Sequence, residues 1–86
     1  MEKIFEISAK SVNAIKEGLV KVEVYKDEYG YTVYNYRINK DYLLDKEWDG
    51  TYENRSYALE VAEKNSRNYT FYDREKICKE NCGIYD

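Results

Sequence analysis

The residues best suited to chemistry lie in one acidic and aromatic stretch, residues 41–53. This stretch carries five carboxylates, a single lysine and three aromatic rings, so its net charge is −4 while the whole chain carries −3. Carboxylates can pair with arginine or lysine on another molecule, and aromatic rings can anchor such contacts by excluding water. The stretch is therefore the candidate partner-binding site, and the contributing residues are Asp41, Tyr42, Asp45, Glu47, Trp48, Asp49, Tyr52 and Glu53.

A second interpretation places part of this stretch in the core. Tryptophan is highly buried on average, and Tyr42, Leu44 and Trp48 would share one face of a strand. The acids would then solvate the other side of that strand. The two interpretations are compatible if only the acids and Tyr52 are exposed.

Groups for catalysis or metal binding are scarce. The chain has no histidine, which removes the commonest general base and the commonest zinc ligand together. Cys78 and Cys82 are too few to form a zinc site alone, and we expect them to be reduced packing thiols. The glycines are spread along the chain and form no phosphate-binding loop. We therefore expect neither catalysis nor a bound metal or cofactor.

Tyrosine is unusually abundant, with 11 among 86 residues. Tyr25, Tyr29 and Tyr31 belong to a predicted β-hairpin, and rings on a sheet surface can stack on nucleobases. The charges beside them are mixed and provide no positive path for phosphates. A nucleic-acid-binding hairpin is therefore the alternative function.

Local patterns predict the elements that position these residues. Alternating apolar and polar residues indicate strands, and an apolar stripe after a capping residue indicates a helix. The first predicted elements are a strand at 2–7 and a helix at 9–17, which is capped by Ser8 and ended by Gly18. Three strands follow at 19–26, 31–38 and 42–48, with a turn at Asp49-Gly50 after the third. The last predicted elements are a helix at 55–67 capped by Asn54 and ended by Asn68, a short edge strand at 69–72, and a helix from Asp73 to Gly83.

The pairing of the second and third strands is predicted from their apolar residues. With Asp27 opposite Tyr31, Gly30 supplies the left-handed residue of a three-residue loop. With Lys26 opposite Tyr31 instead, the valines would face polar residues. The first pairing is preferred because it unites the apolar faces. It aligns Val20, Val22 and Val24 with Ile38, Tyr36 and Tyr34.

Together these elements predict one α+β domain over residues 1–86. A three- to four-stranded antiparallel sheet is expected, with helices packed on one face. No apolar run reaches the roughly 18 residues of a membrane span, and no secretory leader follows Met1. We therefore expect a cytoplasmic protein without a membrane partner. The exposed hairpin edge makes a homodimer a further option.

The predicted order helix–strand–strand–strand–helix over residues 9–67 resembles that of double-stranded-RNA-binding domains. The first turn of the second predicted helix offers Arg55 but no cluster of lysine and arginine. The resemblance therefore concerns element order and does not extend to RNA binding.

A second resemblance concerns composition and architecture. Small size, a proline-free composition rich in Lys, Glu, Asn, Tyr and Ile, and the segment WDGTYENRSYAL at residues 48–59 resemble phage-encoded accessory proteins. Among these are anti-CRISPR and similar anti-defence inhibitors, which are commonly acidic single domains. The resemblance implies a non-enzymatic inhibitor that binds a bacterial protein or ribonucleoprotein with a basic surface. Such an inhibitor would act in the host-cell cytoplasm by blocking access of the substrate.

Overall fold

Four strands and two helices make up the part of the chain that the structure, a computed structural model, describes: residues 1–68. The elements are β1 (Glu2–Ser8), α1 (Val12–Lys16), β2 (Leu19–Asp27), β3 (Gly30–Ile38), β4 (Leu44–Tyr52) and α2 (Arg55–Ser66). The strands form one antiparallel sheet in the order β1-β2-β3-β4. Both helices contribute to a single apolar core on one face of this sheet. The predicted α+β class is therefore confirmed, with four strands.

Helix α2 begins and ends close to the predicted positions. The Asn54 side chain accepts a hydrogen bond from the Tyr57 N–H at 2.9 Å, which satisfies one donor of the first turn. At the other end Asn68 adopts a left-handed conformation, with a φ of 61°. The small side chains of Ala58 and Ala62 are fully buried against the sheet, so the helix lies close to the strands.

Helix α1 is shorter than predicted, and its cap is Ser11 rather than Ser8. Strand β1 continues through Ser8, because the main chain remains paired with β2 up to this point. Only Ala14 of the helix is buried, so the predicted apolar stripe of α1 remains largely outside the core. The helix stops before Gly18, which has the expected left-handed conformation with a φ of 87°.

The predicted pairing of Asp27 with Tyr31 is wrong. Asp27 pairs with Gly30 across a turn of two residues. The Asp27 carboxylate stabilises this shorter turn by accepting hydrogen bonds from the Tyr29 N–H and the Thr32 hydroxyl, both at 2.8 Å. These polar contacts, rather than the apolar alternation, fix the register.

A shift of one residue moves every β3 side chain to the opposite face. Val33 and Asn35 therefore lie beneath α2 with Val22 and Val24, where tyrosines were expected. We call the face opposite the helices the tyrosine face. Its residues on β2, β3 and β4 are Lys21, Glu23, Tyr25, Thr32, Tyr34, Tyr36, Ile38, Leu44, Lys46, Trp48 and Thr51.

Strand β4 begins and ends later than predicted. Tyr42 precedes it, in the loop after β3, and has a left-handed conformation with a φ of 62°. The sequence Asp49-Gly50 is not a turn but lies inside the strand, where Gly50 pairs with Val33. The register shifts next to this pair, so Asp49 is an extra residue that forms a β-bulge. A bulge and a turn use the same residue types, which explains the error.

A buried polar contact joins α2 to the sheet within the core. The Asn65 side chain on α2 donates a hydrogen bond of 2.9 Å to the side chain of Asn35 on β3. The surrounding core is aliphatic, and its buried members are Ala14, Leu19, Val22, Val24, Val33, Ala58, Val61 and Ala62. A buried amide needs a partner, so this contact ties the helix to one register of the sheet.

The predicted strand at 69–72, the predicted last helix, and Cys78 and Cys82 lie outside the described residues. Within residues 1–68, neither helix is long and apolar enough to cross a membrane.

Candidate partner-binding site

The acidic and aromatic stretch is strongly exposed. Nine consecutive residues, 40–48, are all exposed, although five of them belong to β4. The exposed fraction is 89% for Tyr42 and 65% for Trp48, and Leu43 and Leu44 are also exposed. Burial of Tyr42, Leu44 and Trp48 in the core, the second interpretation of the sequence, is therefore wrong. The exposure of Leu44 and Trp48 follows from the position of β4 at the edge of the sheet, with their side chains on the tyrosine face, and Tyr42 is exposed in the loop before the strand.

Two of the predicted acids lie on the other side of β4. Glu47 accepts a hydrogen bond from Arg37 Nε at 2.8 Å, and the Asp45 carboxylate accepts from the Asn39 side chain at 3.2 and 3.3 Å. Both carboxylates are exposed, so each can accept a further donor from another molecule.

The loop between β3 and β4 is organised by one side chain. The Asn39 Oδ1 atom accepts hydrogen bonds from the N–H of Asp41 at 2.8 Å and of Leu43 at 3.1 Å. These bonds fix the backbone on both sides of Tyr42. The exposed Tyr42 ring therefore projects from a loop with a defined conformation.

Asp49 and Tyr52 play a different part from the other predicted residues. The Tyr52 hydroxyl donates a hydrogen bond of 2.9 Å to Asp49, and its ring packs edge-on against Tyr57 of α2 with 4.9 Å between ring centroids. Both residues are half-buried. The structure thus brings the eight predicted residues to one edge strand and its flanks. Trp48 lies on the opposite face from Asp45 and Glu47. Asp49 and Tyr52 support the fold.

The tyrosine face presents rings and cations side by side. The rings of Tyr25 and Tyr34 meet edge-on at 5.7 Å, and Lys46 Nζ lies 4.2 Å above the Tyr34 ring. Lys21 Nζ lies 5.0 Å from the Tyr36 ring. These contacts are cation–π in geometry. Trp48 lies beside this group because it pairs with Tyr34.

Glu23 is the polar centre of the tyrosine face and is only 3% exposed. It accepts a 2.8 Å hydrogen bond from the Tyr25 hydroxyl and forms ion pairs with Lys21 at 3.1 Å and Lys3 at 3.3 Å. Burial alone would raise the pKa of this carboxyl, but hydrogen bonds from Tyr36, Tyr25 and Lys21 outweigh it and hold the pKa well below its usual range. Glu23 therefore remains charged and fixes the rings around it.

The same contacts keep the two tyrosine hydroxyls protonated. Burial, together with the Glu23 charge, raises the pKa of Tyr36 far above its usual value. The hydrogen bond to Glu23 raises the pKa of Tyr25. Both hydroxyls are hydrogen-bond donors at neutral pH, and neither is activated as a nucleophile.

The alternative surface of Tyr25, Tyr29 and Tyr31 does not exist as one patch. Tyr25 lies on the tyrosine face, Tyr29 is exposed at the turn, and Tyr31 packs against the core beneath α2. Sequence reasoning missed Tyr34 and Tyr36 because the wrong register placed them in the core. The available indication was the pair Asp27 and Thr32, which can close a two-residue turn.

Within residues 1–68, the structure contains no group of three or more His, Cys, Asp or Glu side chains that could hold a metal ion. Exposed rings, leucines and carboxylates along β4 and the loop before it characterise the site. No family model, no curated protein and no solved structure matches the chain.

Proposed function

We propose that the chain is a non-enzymatic protein-binding module that recognises a basic protein surface through β4 and the loop before it. The observation that supports this is the coincidence of two properties in one stretch. Residues 42–48 expose four large apolar side chains, and the stretch 41–53 around them holds the acidic excess of the chain. Apolar anchors rimmed by charge are typical of protein interfaces.

The biological role that fits this module is inhibition of a bacterial defence complex. This part of the proposal rests on the resemblance to small phage-encoded anti-defence inhibitors. A nucleic-acid-binding complex carries a basic surface, and a carboxylate-rich edge can occupy it. Blocking by an ordinary protein contact suits a net charge of −3 better than imitation of a whole nucleic acid.

The binding proposal is tested with two matched double variants. Asp45→Asn/Glu47→Gln removes two charges from the site, and Glu2→Gln/Glu28→Gln removes two exposed charges at the far end of the sheet. A partner is first isolated from nuclease-treated bacterial lysate, and its Kd is then measured for each variant against salt concentration. We expect the first variant to bind about 5- to 30-fold more weakly with a flatter salt dependence. Equal affinity of the two variants would refute the site.

The apolar contribution is tested separately. Trp48→Ala should weaken partner binding by at least about tenfold, since truncation of a central aromatic anchor commonly costs more than about 1.4 kcal/mol. Tyr29→Ala, which removes another exposed ring at the turn between β2 and β3, should bind normally. For the biological role, bacteria with active CRISPR-type immunity are infected with a targeted phage. Expression of the wild-type chain should raise plaque number, whereas the Trp48→Ala variant should not.

Nucleic-acid binding is the second candidate function, and one observation favours it. Trp48, Tyr34 and Lys46 lie together on the tyrosine face, where rings can stack on bases. Two other lysines of this face are already paired with Glu6 and Glu23, so the charge available for phosphates is small. Titration with a single-stranded oligonucleotide, followed by Trp48 fluorescence, separates the two candidates. If the wild type binds the oligonucleotide tightly and Tyr34→Ala does not, nucleic-acid binding replaces protein binding as the preferred function.

A further inference from the structure

Strand β4 occupies one end of the sheet. In the order β1-β2-β3-β4 it pairs with β3 on one side, and among residues 1–68 no strand pairs with its other side. An edge strand presents a row of peptide N–H and C=O groups to which another extended chain can bond.

The register identifies which peptide groups these are. Asp27 and Gly30 close a two-residue turn, so they exchange both hydrogen bonds, and alternate residues of β3 bond to β2. The remaining β3 residues, Asn35 and Arg37 among them, bond to their β4 partners. Two bonds outside the strands agree with this alternation: Ile38 N–H donates towards β2, to the Gly18 carbonyl, and Asn39 N–H donates to the Leu43 carbonyl beside β4.

The peptide groups of β4 follow from this alternation. Asp45 and Glu47, which oppose Arg37 and Asn35, direct their N–H and C=O groups to β3. Leu44, Lys46 and Trp48 therefore direct theirs away from the sheet. The bulge at Asp49 ends this regular run, so the usable edge is Leu44 to Trp48, close to the roughly five to six residues of an ordinary strand.

The two sides of this edge differ in chemistry. Asp45 and Glu47 lie on the helix side, and Leu44 and Trp48 lie on the tyrosine face. A second copy of β4 is a poor match, because two stretches of −4 charge would meet. A strand with basic residues at every second position is a good match. Its basic side chains would face Asp45 and Glu47, and its apolar ones would cover Leu44 and Trp48.

We propose that β4 binds an extended segment of its partner as an added strand, and that this segment alternates Lys or Arg with apolar residues. The bonds run between that segment and the peptide groups of Leu44, Lys46 and Trp48. This inference rests on the proposed function and specifies the partner's chemistry.

The test uses the full chain and a synthetic peptide of about six residues in which lysine and valine alternate. Amide hydrogen exchange is measured by NMR with and without the peptide. In the free chain we expect fast exchange at Leu44, Lys46 and Trp48 and slow exchange at Asp45 and Glu47. The peptide should protect the three fast amides. A peptide of the same composition with its lysines and valines in separate blocks, and one with glutamate in place of lysine, should not.

The matched variants are Lys46→Pro and Lys46→Ala. Both remove the lysine side chain, but only proline removes the outward N–H, and edge strands tolerate proline at such positions. We expect the proline variant to lose peptide protection and to bind the partner about tenfold or more weakly, and the alanine variant to retain most of both.

Protection of the three amides in the free chain, or equal effects of alternating and block peptides, would overturn the inference. If Asp45→Asn/Glu47→Gln weakens partner binding while Lys46→Pro binds like Lys46→Ala, strand addition fails and the proposed function stands.

Discussion

Glu23 organises the tyrosine face as a charged carboxylate in a buried position, where a charge costs free energy unless it is paired. Its side chain is almost fully buried, yet hydroxyl and ammonium donors surround it. Removing the carboxylate takes away the one acceptor that these donors share. The ring positions on this face therefore depend on a single carboxylate.

We expect Glu23→Gln to lower the free energy of unfolding by about 1–3 kcal/mol. The amide cannot accept from the same donors with equal strength. Urea denaturation followed by circular dichroism measures the effect. Glu6→Gln is the matched control, because Glu6 contacts the same two lysines from an exposed position, and its cost should stay within about 0.5 kcal/mol. Equal costs for both variants would contradict the role of burial.

The acid limb of stability tests the same carboxyl. The folded-state pKa of Glu23 lies well below its ordinary value of 4.5. As pH falls below 4.5, the unfolded chain takes up a proton that the folded chain does not, so stability declines. We expect this decline in the wild type and a flatter profile in Glu23→Gln. Some slope should remain in the variant, because the hydrogen bonds from Thr32 and the Tyr29 N–H also lower the pKa of Asp27. Parallel profiles of the two chains would exclude Glu23 as the cause.

At the scale of elements, the β2–β3 turn and the end of β4 share one tight contact. Gly30 has a φ of 134°, and a Cβ at this position would lie 2.5 Å from the Tyr52 carbonyl oxygen. The backbone of β4 therefore approaches β3 where only glycine allows it.

Two glycine substitutions separate a backbone clash from a side-chain one. Gly30→Ala should destabilise the fold by about 1–3 kcal/mol, because neither its φ nor the Tyr52 backbone can adjust cheaply. Gly50→Ala should cost less, about 1 kcal/mol, because its Cβ would meet only the end of the Tyr52 side chain, 2.7 Å from the hydroxyl oxygen and 2.9 Å from the ring carbon that bears it. This ring can shift at the cost of its hydrogen bond to Asp49, whereas a backbone carbonyl cannot. Thermal unfolding compares the two. A larger loss for Gly50→Ala would argue against the close approach of β4 at Gly30.

The sequence predicts some elements well because their information is local. The cap at Asn54, the stripe of α2 and the left-handed Gly18 all follow from neighbouring residues. The face of β3 does not, because large side chains occupy both of its faces. Tyr31 and Val33 make one face of β3 apolar, and Tyr34 and Tyr36 do the same for the other face. Apolar alternation alone therefore does not determine which face of β3 is buried, and the hydrogen bonds of Asp27 in the turn determine it instead.

The candidate site was partly predictable for the same reason. Its charge pattern is local, and exposure of the acids followed from it. The exposure of Trp48 depends on β4 being the edge strand, which is a property of the whole sheet. Asp49-Gly50 looked like a turn because a bulge also favours these residue types.

At the scale of the whole molecule, the acidic excess and four of the exposed apolar side chains occupy one edge of the sheet. Apolar exposure on an edge strand promotes self-pairing, and charge opposes it. We therefore expect the acidic side chains to keep the chain monomeric at neutral pH, and a dimer to form when those charges are removed.

We expect Asp45→Asn/Glu47→Gln to shift the chain towards a dimer at a protein concentration at which the wild type is monomeric. Glu2→Gln/Glu28→Gln should remain monomeric like the wild type, since it changes the net charge equally but far from β4. Sedimentation velocity distinguishes the species. A wild type that is already dimeric at neutral pH would mean that the acids do not prevent self-pairing.

The buried contact between Asn35 and Asn65 also bears on the order of folding. Hairpins form locally within microseconds, before distant segments meet. If β2 and β3 paired one residue out of step, Tyr34 or Tyr36 would take the place of Asn35 beneath α2, and the hydrogen bond between Asn65 and Asn35 would be lost. We therefore expect α2 to dock stably only on hairpins with the native register, so that its docking, late in folding, disfavours hairpins that paired out of register early.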